Sequence, residues 1–423
     1  MHKINFLFLI FFNFSYLIAQ DTITLMQYNL LRYDMSASAC SPYIEKTNNI
    51  KTILKYCRPD ILGVNEMYPS NVAAEYIKTN ALNVDGVTYY QRTNYTNLAG
   101  SDLVNMLYFN SQKFGILSAT PTIVQTIYRD INIYRLYYKS ANLATTHDTT
   151  YLNVIVAHLK ASQGYETDRA TMTNDLMNFL INTYSVNNFT FQGDFNLYTS
   201  SEPGYQNLIA HTNIPWRFYD PINKPGNWNN SSTFASIHTQ STRSASDGCF
   251  VGGGLDDRFD FILISGDIKN DTKKIAYIPN SYKAVGQDGN HFNSAVNSGT
   301  NNSVPSDVLN ALYAVSDHLP VLLKLKITAN SADIQDNSIS DIAYAGFPNP
   351  VKNELYLTVI AENKADFNIQ IVSMLGKVLY SENLENNSQE NYFTIPFHYA
   401  KGIYFLQLTD SKNRKIVKKI VKE

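Results

Sequence analysis

Phe189-Thr190-Phe191-Gln192-Gly193-Asp194-Phe195-Asn196 decides how this chain is read. Phe189 to Phe191 is a short β-prone run, and Gly-Asp-Phe-Asn follows directly where it ends. Three other clusters repeat that arrangement, and His158 marks one more strand end. Tyr28-Asn29 closes a first strand over residues 22–28, and Asn65-Glu66 closes the apolar run 61–64. Ser316-Asp317-His318-Leu319-Pro320 leads into the apolar residues 321–323, and His158 closes the run 154–157. Strand ends in layered α/β proteins are where ligand sites form, because loops there converge above a rigid sheet. Taken singly, each residue has a plainer reading. Glu66 is a solvated strand-end carboxylate, Asp194 beside glycine is a turn residue, and His158 and His318 are satisfied core histidines. Three acids and two histidines at the ends of separate strands together suit a phosphoesterase site built around a hard cation.

Working outward, strands and amphipathic helices alternate from about residue 22 to residue 327. Ser41 is read as an N-cap, with Pro42 at the first helical position. Ile50, Ile53, Leu54 and Cys57 follow at helical spacing until Pro59 stops the helix. Residues 103–109, 134–138 and 151–157 are further strands. Met172, Leu176, Phe179 and Leu180 mark a second amphipathic helix, and residues 261–264 and 321–325 complete the strand set. Several strands follow one another directly, which predicts an α/β (α+β) fold rather than a regular barrel: a four-layer sandwich of two mixed β-sheets flanked by helices. Two long Asn/Ser/Gly-rich stretches, 226–254 and 286–306, precede chemically loaded strands and are expected to be substrate-facing loops. The domain plan is a signal peptide over 1–20, a catalytic domain over 21–327, a linker over 328–341 and a small C-terminal β-sandwich over 342–423.

At 423 residues the chain has room for two or three domains at roughly 150 residues each. Its 34 basic and 36 acidic side chains give a net charge of −2, which excludes a histone-like nucleic-acid binder. Lys3, the apolar run 4–12 and the small residue Ala19 have the pattern of a cleavable secretory signal. Asn13 and Ser15 interrupt that run, so it is too short for a membrane anchor, and no integral membrane segment is expected in the mature protein. The three cysteines, Cys40, Cys57 and Cys249, match no zinc motif.

The ordered set of segments resembles the endonuclease/exonuclease/phosphatase superfamily, the group of deoxyribonuclease I, abasic-site nucleases and neutral sphingomyelinases. The resemblance implies that Asn29, Glu66 and Asp317 serve a divalent metal, with magnesium the expected ion and manganese or calcium the others of that class. It makes His158, in Ala157-His158-Leu159, the histidine that contacts the scissile phosphate. Asp194 and Asn196 become the pair that positions phosphate and attacking water. Arg258-Phe259-Asp260-Phe261 resembles the strand whose Asp orients the catalytic histidine, and Ser316-Asp317-His318 resembles the family's terminal signature. On that reading His318 takes a proton from water while Asp260 fixes its tautomer. A second acid that supports the equivalent of His158 in some members has no counterpart that the sequence locates. Cys40 follows the site loop of the first strand and Cys249 precedes Asp260, so any disulfide is expected to be Cys40–Cys249. His147, His211, His238 and His291 match no motif and are read as surface or loop histidines.

The tail carries a second resemblance. Phe347-Pro348-Asn349-Pro350, Leu355-Tyr356-Leu357, Met374-Leu375-Gly376-Lys377 and Gly402-Ile403-Tyr404 are similar to the C-terminal sorting domain of the type IX secretion system. The plain alternative is a glycan-binding β-sandwich, disfavoured because few outward aromatics cluster there. Together these readings imply a secreted or surface-held, monomeric, metal-dependent phosphodiesterase. Nucleic acid is the leading substrate and the secretion machinery a partner. A phosphomonoesterase, a sphingomyelinase-like lipid phosphodiesterase and a non-catalytic adhesin on the same fold are the alternatives. Arg32, Lys160, Trp228 and Arg243 are the basic and stacking side chains that a nucleic-acid groove would use.

Overall fold

The computed structural model describes residues 20–36, 40–124, 127–140, 143, 149–328, 342–347, 349–361, 366–374, 376–385, 390–410 and 415–423. The expected signal segment, most of the expected linker, His147, Pro348 and Leu375 lie outside them. Chain contacts divide the molecule into two compact units, residues 1–139 with 150–331, and residues 140–149 with 332–423.

In the first unit the strands are β1 (Gln20–Tyr33), β2 (Ile61–Met67), β3 (Tyr90–Arg92), β4 (Val104–Asn110), β5 (Phe114–Ile116), β6 (Thr122–Val124) and β7 (Ile131–Tyr138). They continue with β8 (Tyr151–His158), β9 (Phe189–Asp194), β10 (Phe218–Tyr219), β11 (Asp260–Ser265), β12 (Ile275–Tyr277), β13 (Lys283–Ala284) and β14 (Val321–Thr328). One seven-stranded sheet runs β12-β14-β1-β2-β4-β3, with β13 on β14; the other runs β10-β11-β9-β8-β7-β5, with β6 on β7. Each sheet has one parallel pair, β1 with β2 and β8 with β9, among antiparallel neighbours. Both sheets are therefore mixed.

Side-chain alternation makes three apolar layers out of these strands. Leu25, Leu107, Leu136, Val154, Ile262 and Leu323 fill the space between the sheets. On the outer face of the first sheet, Met26, Leu62 and Met106 pack on Ile50, Ile53 and Leu312. On the outer face of the second, Ile155, Phe191 and Leu263 pack on Met172, Leu176 and Leu180. The order is helix, sheet, sheet, helix, as the alternation of elements predicted.

Helix α1 (Tyr43–Cys57) departs from the predicted start. Pro42 occupies the cap position and no side chain caps it, so Ser41 does not serve as the N-cap. Its end is set by Arg58 in a left-handed conformation, whose N–H returns to the Leu54 carbonyl at 2.8 Å. Pro59 only follows that stop. The polar stretches 226–254 and 286–306 pack on each other and bury His238, Thr242, His291 and Asn301, while the first also sends Gln240 and Val251 to His318 and Asp317. Val296 N–H donates to the Thr242 carbonyl, and the Gln287 amide donates to the His238 carbonyl. His238 and His291 are consequently buried loop histidines rather than surface ones. Among the described residues no helix is long and apolar enough to cross a membrane.

In the second unit the strands are β15 (Ile342–Gly346), β16 (Glu354–Ala361), β17 (Phe367–Ser373), β18 (Val378–Leu384), β19 (Glu390–Pro396), β20 (Gly402–Asp410) and β21 (Lys415–Lys422). They form a three-stranded sheet β15-β16-β19 and a four-stranded sheet β18-β17-β20-β21. Leu355, Leu357, Ile369, Ile371, Leu406 and Leu408 from both sheets share one core. Two aromatics do stand outward: Tyr356 and Tyr392, on the paired strands β16 and β19, are 55% and 72% exposed.

Cys40 and Cys249 form a disulfide, with Cα atoms 5.5 Å apart across 209 residues of sequence. Cys57 is free, and burial pushes its thiol up to about 12. By chain entropy a loop of this length stabilises by roughly 5 kcal/mol. Reduction, or Cys249→Ser, should therefore lower the denaturant midpoint, whereas Cys57→Ser should leave it near wild type. An unchanged midpoint after verified reduction would contradict that contribution.

Candidate active site

The parallel β8–β9 ladder sets His158 directly beside Asp194, and the antiparallel β9–β11 ladder sets Asp260 on the other side of Asp194. Gly193 is needed for that approach: a Cβ there would lie 1.8 Å from the Ala157 carbonyl oxygen. Glu66 arrives from the other sheet. Register shifts interrupt the pairing of β1 with β2 between Asn29 and Tyr33, and of β2 with β4 between Val64 and Met67. Within the bulge Glu66 itself adopts φ +57°, as Asn196 does at +52°. Left-handed backbone in non-glycine residues costs about 1–3 kcal/mol and persists only where surroundings enforce it. Here it aims Glu66 at Asp194.

Asn29 bridges the two acids. Its Nδ2 donates to Glu66 Oε1 at 3.0 Å and to Asp194 Oδ2 at 2.9 Å, while its Oδ1 accepts the Leu31 N–H at 2.9 Å. The orientation thus points a donor, not an oxygen ligand, at the acids. His158 Nε2 lies 3.4 Å from Asp194 Oδ2 and 3.9 Å from Glu66 Oε1. Glu66, His158 and Asp194 are the group whose donor atoms converge, all within 4.8 Å of one another. Two carboxylates and one imidazole fit a divalent cation. Asp317, expected among the ligands, is outside that group. Its Oδ2 accepts the Val251 N–H at 3.0 Å, and its buried Oδ1 has no hydrogen-bond partner among the described residues.

His318 is held from two directions. Its Nδ1 lies 2.8 Å from Asp260 Oδ2, and its own N–H donates to Ser316 Oγ. Its Nε2 faces Asp194 Oδ2 at 3.6 Å and the Gln240 side-chain nitrogen at 2.8 Å. Thr239 Oγ1 accepts the backbone N–H groups of Phe259 and Asp260, and Leu319 N–H donates to the Thr239 carbonyl. The Thr239–Gln240 segment therefore ties the Asp260 strand to the His318 loop. Just upstream, Arg258 makes a bidentate pair with Asp220 at 2.7 and 2.9 Å, fixing the start of β11.

Charge separates the two histidines. Burial, reinforced by Arg129 and His318, holds His158 well below the usual imidazole range. Burial alone would lower His318 as well, but the Asp260 and Asp194 charges outweigh it and hold His318 well above that range. Burial, with the charges of Asp260 and Glu66, pushes Asp194 up to about 7.

Among the described residues His158 Nδ1 is buried without a hydrogen-bond partner, and no second acid reaches it there. Asn196 donates from Nδ2 to the Leu159 carbonyl at 3.3 Å. Two of the four groove candidates are not available. Trp228 is wholly buried in the core, and Arg243 lies against the Phe250 and Tyr313 rings and donates to the Tyr313 carbonyl. Arg32 is exposed and paired with Asp102, and Lys160 sits 3.7 Å from the Tyr165 ring centroid. Gln240, Lys46 and Arg129 are residues that sequence reasoning missed. The Arg129 guanidinium donates to the Leu159 carbonyl, and its charge acts on Glu66 and Asp194. None of the three lies in a motif, so spacing offered no signal.

Residues 345–423 match the family described as the secretion system C-terminal sorting domain. The chain thus carries a type IX export tail, and the protein is secreted or held at the cell surface. No curated protein matches the chain. Among solved structures, an endonuclease/exonuclease/phosphatase from Bacteroides vulgatus is similar at 12% identity, covering 73% of this chain and 99% of that one, with a TM-score of 0.47. The human Nocturnin catalytic domain with bound sulfate is similar at 15% identity, covering 73% and 98%, with a TM-score of 0.45. A mannosyl-6-phosphatase from Bacteroides thetaiotaomicron is similar at 12% identity, covering 72% and 99%, with a TM-score of 0.44.

The donor geometry separates Asp317 from the other acids experimentally. Glu66→Gln and Asp194→Asn should each weaken Mn2+ binding, measured by calorimetry, more than Asp317→Asn does. Equal weakening by all three would place Asp317 among the ligands.

Proposed function

We propose that this chain is a divalent-metal-dependent phosphoester hydrolase of the endonuclease/exonuclease/phosphatase type, working outside the cell. The observation that carries the reading is the meeting at Asp194 of two sets. One is the Glu66–His158 donor pair, and the other is the Asp260–His318 hydrogen bond of 2.8 Å. A cation held by Glu66, His158 and Asp194 would supply charge neutralisation at the phosphoryl oxygens.

The chain's own residues divide the remaining work. Asp260 keeps the His318 ring oriented through Nδ1, leaving Nε2 toward the reacting region. The proton removed from the attacking water passes to Nε2 of His318, the base that Asp260 orients. Asn29 keeps Glu66 and Asp194 at hydrogen-bonding distance from one amide, offsetting their mutual repulsion. His158, held neutral by burial, would offer its Nε2 lone pair to the cation.

Within this class, a phosphodiester in DNA or RNA is the first substrate proposed. A small phosphoester is the second reading, favoured by the burial of Trp228 and the sequestration of Arg243, which remove two groove residues. The test is turnover of DNA, RNA, sphingomyelin and a phosphomonoester with magnesium, then with EDTA. Metal-dependent turnover of at least one is expected, and His318→Ala should lower it about 10²–10⁴-fold. Turnover of none, or near-normal turnover by His318→Ala, would overturn the reading.

A further inference from the structure

Lys46 is a charged side chain that the proposed chemistry leaves unused. It lies on the first turn of α1 and is 2% exposed. A cation near a helix N-terminus is opposed by the helix dipole, and a buried ammonium normally requires a carboxylate partner. Among the described residues Lys46 has no carboxylate within 4 Å. Its Nζ donates instead to the Leu31 carbonyl at 2.6 Å. A buried cation kept for a single carbonyl indicates that this carbonyl has to be held.

The segment it holds is the bend in β1. Leu31 and Arg32 adopt φ +46° and +51°, two successive left-handed residues, neither of them glycine. Such a pair is strained and needs an external restraint. The bend sends two N–H groups into the candidate site. Arg32 N–H donates to Glu66 Oε2 at 3.1 Å, and Leu31 N–H donates to Asn29 Oδ1 at 2.9 Å. The second of these turns Asn29 Nδ2 toward Glu66 Oε1 and Asp194 Oδ2. Both oxygens of Glu66 are thus set by the strained bend, one directly and one through Asn29.

We infer that Lys46 is a positioning residue for the metal site: by clamping the Leu31 carbonyl it fixes the bend that orients Glu66 and Asn29 toward Asp194. This rests on the proposal that Glu66 and Asp194 hold a cation. It also makes a prediction opposite in sign to simple electrostatics. As a positive charge near Glu66 and Asp317, Lys46 should repel a cation, so its removal by charge alone would tighten metal binding.

The experiment measures Mn2+ affinity of the full chain by calorimetry and by the free-Mn2+ electron paramagnetic resonance signal. Lys46→Met should weaken Mn2+ binding about tenfold or more, the scale on which supporting groups act on metal affinity. Lys46→Gln, which retains a donor without the charge, should recover part of that loss. In a Glu66→Gln background, Lys46→Met should add little, because the orientation it protects is already spent. Unchanged or tighter Mn2+ binding by Lys46→Met overturns the inference, as does an equal effect with and without Glu66. Should Lys46→Met not fold by circular dichroism, Lys46→Gln carries the test, and Mn2+ binding by it as tight as wild type or tighter overturns the clamp. Phosphoester turnover is assayed separately. Turnover failing while Lys46→Met loses Mn2+ would sink the enzymatic reading alone; metal-dependent turnover with normal Mn2+ binding by Lys46→Met would sink this inference alone.

Discussion

One buried amide ties the two sheets together beneath the acids. Asn65 Oδ1 accepts from the Gln27 side chain and from the Asp194 backbone N–H, while its Nδ2 donates to Asn105 Oδ1 and to the Ala157 carbonyl. These partners belong to β1, β4, β8 and β9, so one side chain on β2 fixes strands of both sheets. Asn105 extends the chain of amides to Asn132 on β7. Buried polar groups left unpaired cost about 1–3 kcal/mol each, so a sliding of one sheet over the other would break several such bonds together. Gly63 belongs to the same constraint: a Cβ there would meet the Gln192 amide nitrogen at 2.2 Å. Glu66 follows Asn65 directly, and Asp194 receives its bond. The distance between the two acids is thereby set by the inter-sheet clasp.

That distance is electrostatically costly. Glu66, Asp194, Asp260 and Asp317 gather in one place, where burial and the neighbouring carboxylates push Asp194 and Asp317 above the usual carboxylate range. The structure answers with the Asn29 bridge, the His318–Asp260 pair and a strained backbone at Leu31, Arg32, Glu66 and Asn196. Strain and like-charge crowding concentrated at one place mark a site kept for chemistry rather than for stability.

Much of this was legible in the sequence because it lies at strand ends. Periodicity locates the strands, and a polar residue after an apolar run falls at the sheet's edge whatever the fold. Asn29, Glu66, His158, Asp194 and His318 were found at strand ends, Asp260 came from the family resemblance, and all meet in one place. Orientation was not legible. Asp317 is next to His318 in sequence, yet its carboxylate turns to the Val251 N–H. Trp228 and Arg243 carry groove-like chemistry, but the packing of the 226–254 stretch takes them inward. Gln240 and Lys46 gave no signal, since their roles come from contacts with residues 78 and 15 positions away. Helix α1 likewise begins without the cap that Ser41 suggested: Pro42 stands at the cap position and no side chain caps it.

The central claim is that Glu66, His158 and Asp194 form the cation site. Anomalous diffraction from crystals of the protein soaked in Mn2+ addresses it directly. The account predicts a peak within bonding distance of Glu66 Oε1, His158 Nε2 and Asp194 Oδ2. A peak ligated by Asp317 without Asp194, or no peak at saturating Mn2+, would contradict it.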